Sequence, residues 1–68
     1  MDLVIIGTGN GAALLGRKCI AAGHLIRQVV GRNAKAASAL AYEWHTVSTN
    51  YQGPIIRTAD VYLMAVSD

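Results

Sequence analysis

Hydrophobic residues gather along the chain in three dense runs, Leu3–Ile6, Leu25–Val30 and Val61–Val66, and none of these alternates cleanly with polar positions. Short, β-branched runs of this kind suit parallel strands covered on both faces. Between the first two runs, Ala12, Leu15, Gly16, Cys19 and Ala22 recur at spacings of three and four. That period predicts a helix from Asn10 to about Ala22, with a small-residue face for packing on a sheet and Arg17 and Lys18 on the other side. Gly23 is placed to end it in a left-handed turn. Gly31-Arg32-Asn33 breaks the second run. Ala34 to about Trp44 then predicts a second helix, with Ala37, Leu40, Ala41 and Trp44 inward. His45–Ser48 is a candidate short strand. Thr49–Pro54 reads as loop from its Asn, Gln, Gly and Pro content, Ile55–Thr58 as a single helical turn, and Asp60 as the boundary before the last strand.

The succession strand–helix–strand–helix–(short strand)–strand specifies an α/β fold built on a parallel sheet, with expected strand order 3-2-1-4. Both helices then lie on one face of the sheet. The helices needed for the other face are not among the 68 residues, so residues 1–68 are expected to be the N-terminal part of a larger domain. Composition supports this. The chain is 53% hydrophobic and only 15% charged, with one cysteine and hence no internal disulfide. So small a chain buries a limited fraction of its surface and needs help from elsewhere. No apolar run is long enough to span a bilayer, and Asp2 stands where a secretory leader would be basic, so a cytoplasmic protein is expected, without membrane partners. The formal charge of +2 is scattered over Arg17, Lys18, Arg27, Arg32, Lys35 and Arg57. It forms no stripe and has no interleaved aromatics, which argues against nucleic acid. Cys and His show no metal-type spacing.

The candidate chemistry lies where the first strand ends. Gly7-Thr8-Gly9-Asn10-Gly11-Ala12 fits G-x-G-x-x-A, directly after a buried-type strand and at the start of a helix. Gly7 allows the sharp turn, Gly9 lets a pyrophosphate approach the backbone, and Ala12 lets helix and strand pack closely. The helix start would aim N–H groups and the positive end of its dipole at the phosphates. Thr8 and Asn10, inside the loop, are further candidates for phosphate contact. About twenty residues past the motif, many dinucleotide sites carry an acid for the ribose 2′-hydroxyl. Here Arg32 stands in that place, and no Asp or Glu occurs from Leu3 to Tyr42. An arginine attracts the 2′-phosphate that a carboxylate would repel, so the reading is NADP, with Arg32 on the 2′-phosphate, Asn33 as a neutral partner and Lys35 adding charge. Ser67, ending the last strand, would face the ribose–pyrophosphate side, with Asp68 bordering the nicotinamide half. Cys19 reads as a buried small residue, and His24 and His45 as turn residues. Trp44, Tyr51, Tyr62 and Met64 read as core or packing residues.

The blocks LVIIGTGNGAALLGRKCIAAGH, VVGRNAKAASALA and ADVYLMAVSD together resemble the N-terminal Rossmann domain of the pyrroline-5-carboxylate reductase and deazaflavin-dependent NADP oxidoreductase superfamily. The nearest resemblance is to its branch of uncharacterised Rossmann-like proteins with a helical C-terminal domain of unknown function. It implies cofactor contacts at Gly7, Thr8, Gly9, Asn10, Gly11, Arg32, Asn33, Val66 and Ser67. It also implies that substrate residues and homodimer contacts come largely from the C-terminal domain. The chain departs from the family where Gly11 replaces a larger apolar residue, and the stretch from Thr46 to Thr58 matches poorly.

The expectation is therefore the NADP-binding segment of an NADP-dependent oxidoreductase that transfers a hydride to or from an unnamed substrate. No catalytic residue and no metal ligand is assigned within the 68 residues. The alternative is a non-catalytic scaffold or sensor that binds NADP or merely keeps the Rossmann-like fold, because a fold alone does not establish chemistry.

Overall fold

The computed structural model describes residues 1–65, with Asn10 described by its backbone alone. Four parallel strands, β1 (Asp2–Ile6), β2 (Leu25–Val30), β3 (Val47–Thr49) and β4 (Val61–Met64), form one sheet in the order β3-β2-β1-β4. The helices are α1 (Asn10–Ala21) and α2 (Ala34–Glu43). This is the incomplete Rossmann-like α/β arrangement that the hydrophobic pattern specifies, with β1 paired on both edges.

One face of the sheet carries the main core. Leu3 and Ile5 from β1 and Ile26 and Val29 from β2 pack with Ala12 from α1, with Ala37, Leu40 and Ala41 from α2, and with Trp44. Val61, Leu63 and Ala65 close the edge of this core. On β4 the inward set is therefore the odd-numbered one. Tyr62 and Met64, read from the sequence as core or packing residues, are exposed, Met64 by 74%. On β2 the inward residues are three apart rather than two. Leu3 pairs with Ile26 and Val4 with Gln28, which leaves Arg27 as an extra residue. This bulge flips the alternation, so that Ile26 and Val29 share a face.

Where the helices meet, the space is tight. A Cβ on Gly16 would lie 2.3 Å from Cη2 of Trp44, so the indole occupies the room a side chain would need. Beside it, Arg17 donates through Nε and Nη2 to the two carboxylate oxygens of Glu43 at 2.8 and 2.9 Å, linking α1 to α2. Trp44 Nε1 donates to the same carboxylate at 3.1 Å. The hydrogen bond from Arg17 holds the Glu43 carboxyl below its ordinary range, and the bond to Glu43 raises Arg17. Cys19 is half-buried against this core.

Both helices stop in the same way. After α1, Gly23 takes φ +93°, its N–H donates to the Ile20 carbonyl, and His24 N–H reaches back to Cys19. After α2, His45 takes φ +54°, its N–H donates to Tyr42, and Thr46 N–H reaches Ala41. These are paired Schellman closures, the second carried by histidine instead of glycine. The closure explains why β3 begins at Val47 and not at His45, as the sequence suggests: the amides of His45 and Thr46 serve the helix end. The left-handed region costs a non-glycine residue roughly 1–2 kcal/mol. His45→Gly is therefore expected to raise Tm by about 4–8 °C per kcal/mol recovered. An unchanged or lower melting temperature would show that this helix end carries no strain.

The other face of the sheet is organised by a buried amide. Gln28, 1% exposed in mid-strand, donates through Nε2 to Thr49 Oγ1 at 2.7 Å and to the Pro54 carbonyl at 3.0 Å. Its Oε1 accepts from Ile56 N–H at 2.9 Å. Tyr62 adds a hydrogen bond from its hydroxyl to the Ile56 carbonyl. The β3–β4 connection is thereby drawn across the centre of the face that the sequence reading leaves bare, where Val4 and Val30 are fully buried. Ile55–Thr58 forms no helical turn, because Pro54 and Ile56 are bound to Gln28 and not to each other's neighbours. No helix among the described residues is long and apolar enough to cross a membrane.

Candidate functional site

Strand order reverses around β1, and a ligand crevice in such a sheet lies at the carboxyl end of the strands at that point. β1 runs into Gly7, whose N–H donates to the Val30 carbonyl at 2.7 Å and whose φ of +128° is open to glycine and strained for other residues. Gly9 follows as the N-cap of α1, at φ −76° and ψ −175°. Having no side chain, Gly9 supplies no cap, and the first turn of α1 contains no acidic residue. α2 differs here: Asn33 caps it, its Oδ1 accepting from Ala36 N–H at 3.1 Å. Of the two helix starts, the one that follows the glycine turn is left without a side-chain cap. An uncapped helix N-terminus facing a crevice is a ready anion site.

The crevice has a volume of about 340 Å³ and is lined by Gly7, Thr8, Gly9, Arg32, Asn33, Ala36 and Tyr51. The first five of these are residues singled out in the sequence, brought to one place from the ends of β1 and β2. Ala12 is fully buried beneath the turn, as close packing of α1 on the sheet requires. Gly11 is exposed at the start of α1 and meets nothing within 4 Å of a notional Cβ, so the missing apolar side chain leaves open space there. Asn10 begins α1. Val66 and Ser67 lie outside the described residues.

Gly31, Ala36 and Tyr51 belong to the site without having been singled out. A Cβ on Gly31 would sit 2.3 Å from Cγ2 of Thr8, so its bareness lets the turn after β2, with Arg32, close against the glycine turn. The signal was the Gly-Arg pair itself, of which the sequence reading assigned a site role to Arg32 and left Gly31 as part of the strand break. Tyr51 is not a packing residue. It is 43% exposed, lies outside the core, and lines the crevice from the β3–β4 connection. Among the described residues that line the crevice there is no carboxylate, and Arg32 is the one formally charged side chain. Among the described residues, no three His, Cys, Asp or Glu side chains are grouped to hold a metal ion.

The family model described as NADP oxidoreductase, coenzyme F420-dependent, matches residues 2–67. The chain belongs to that family. The F420-dependent NADP oxidoreductase match covers the glycine turn, the Gly-Arg pair and the last strand alike. Among solved structures, the chain is similar to the crystal structure of a proposed NADP oxidoreductase from Bacteroides fragilis. The sequence identity is 28% and the TM-score 0.89, over 98% of this chain and 26% of that one. The chain thus spans about a quarter of the length of that relative. No curated protein matches it.

Proposed function

We propose that this segment binds NADP(H), with the pyrophosphate on the Gly7–Ala12 turn and the 2′-phosphate on Arg32. The observation that carries the reading is the make-up of one crevice. It brings together a positive-φ glycine, an uncapped helix start and an arginine, with no carboxylate among the described residues that line it. NAD sites of this fold commonly carry an acid for the ribose hydroxyls at the end of the second strand, and Arg32 stands there instead. The family description and the Bacteroides fragilis protein both name NADP, which supports the same choice. Asn33 caps α2 through its Oδ1, and its side-chain amide N–H groups are the donors it would offer a phosphate.

The nicotinamide cofactor supplies the hydride chemistry, and the segment's part is to hold and orient it. In this reading residues 1–68 are the N-terminal part of the dinucleotide domain. Substrate residues, and the contacts of a homodimer, come from further chain, since the solved relative is nearly four times as long.

Arg32→Ala separates this reading from a general nucleotide site. A hydrogen bond to a charged group contributes roughly 1.5–3 kcal/mol, so NADPH binding is expected to weaken by about ten- to a hundredfold. NADH binding should change by less than about threefold. Calorimetric titration of both cofactors measures this, and equal losses would sink the 2′-phosphate assignment.

A further inference from the structure

We propose that Tyr51 is the adenine wall of the crevice, its phenol ring stacking on the purine of the bound dinucleotide beside Arg32. The proposal rests on the dinucleotide reading above and adds to it the group that recognises the base. Tyr51 and Arg32 are the two residues shared by the main crevice and an adjoining hollow of about 320 Å³, which Asn50 and Gln52 complete. The adjoining hollow is lined by none of the glycine-turn residues, so Tyr51 and Arg32 mark where the crevice continues beyond that turn. A dinucleotide with its pyrophosphate at the glycine turn and its 2′-phosphate at Arg32 therefore brings the adenine there. Ala36, in the first turn of α2, adds a small side chain to the lining of the same crevice.

Tyr51 is also held in place. It sits in a turn closed by Gln52 N–H on Asn50 Oδ1 at 3.0 Å and by Gly53 N–H on the Asn50 carbonyl at 3.2 Å. Gln28 ties both flanks of that turn to the sheet, through Thr49 on one side and Pro54 and Ile56 on the other. This large aromatic side chain is 43% exposed, carried on an anchored turn and not one of the core residues. It is instead a preorganised flat surface for a ring. Stacking of this kind tolerates loss of the hydroxyl and does not depend on the ribose phosphate.

Titration of NADPH and NADH into the wild-type chain, Tyr51→Phe and Tyr51→Ala tests the assignment, with thermal unfolding to confirm that each variant is folded. The alanine variant should bind both cofactors about ten- to a hundredfold more weakly, by the same factor, because adenine is common to both. The phenylalanine variant should bind within about twofold of wild type. Unchanged binding by Tyr51→Ala would overturn the proposal, and so would a loss confined to NADPH, which would make Tyr51 a phosphate ligand. If the wild type binds NADPH and NADH equally while Tyr51→Ala weakens both, the adenine wall stands and the 2′-phosphate assignment falls. If the wild type binds neither, both fall.

Discussion

Replacing Gln28 with leucine is expected to remove about 2–4 kcal/mol of stability and lower Tm by roughly 10–25 °C. The two side chains are similar in volume, so the loss comes from hydrogen bonds and not from a cavity. Gln28 satisfies the Thr49 hydroxyl, the Pro54 carbonyl and the Ile56 amide at once. An apolar substitute leaves these three groups without that partner against the sheet, and an unmet buried polar group costs roughly 1–3 kcal/mol. A chain of this size has about 3–10 kcal/mol of stability in all, so the variant sits near the edge of folding. Thermal unfolding followed by circular dichroism reads the effect. Amide exchange at Ile56 reads its cause, because that N–H should lose protection first. A melting temperature within a few degrees of wild type would mean that the β3–β4 connection is held by something other than Gln28.

The largest effect on binding is expected from Gly9→Val. Two glycines of the turn invite substitution, and the backbone distinguishes them. Gly7, at φ +128°, is strained by any side chain, so a loss of binding there would be confounded with a loss of fold. Gly9, at φ −76° and ψ −175°, has an extended backbone that valine adopts readily. Its branched side chain would stand where the pyrophosphate has to approach the start of α1. Losing two charge-assisted hydrogen bonds amounts to about a hundredfold or more, for NADPH and NADH alike. The fold should survive. Retained affinity in a folded Gly9→Val chain would show that the turn serves only to join β1 to α1.

These two predictions rest on features of unequal legibility. The glycine turn could be read from the sequence because its meaning is local: a β-branched run, a G-x-G-x-x-A spacing and a helical period lie side by side from Leu3 to Cys19. Gly23 was legible for the same reason, and so was the placing of Arg32 relative to the turn. Gln28 was not. In the linear pattern it is one of two polar residues inside Leu25–Val30, and its neighbour Arg27 is exposed. Only the bulge at Arg27, which exists through pairing with β1, turns Gln28 inward. The β3–β4 connection was then misread at Ile55–Thr58, because its conformation is set by an amide 28 residues earlier and not by its own composition. Tyr51 followed that connection. An aromatic residue beside Gln and Gly resembles any loop aromatic until the connection is seen to bring it over the crevice.

The pairing of β1 with β4 also governs the order in which the molecule can be made. Asp60 N–H donates to the Asp2 carbonyl, Asp2 N–H donates to the Asp60 carboxylate, and Leu3 lies beside Val61. Contacts this distant in sequence form late and slow a small domain's folding. As the chain leaves the ribosome, the strand bearing the glycine turn emerges well before β4, so one of its edges stays open until residues near 60 have been synthesised. During that interval the nascent segment exposes an unpaired, strongly apolar edge, which is when it is most open to capture by a chaperone or by a second nascent copy.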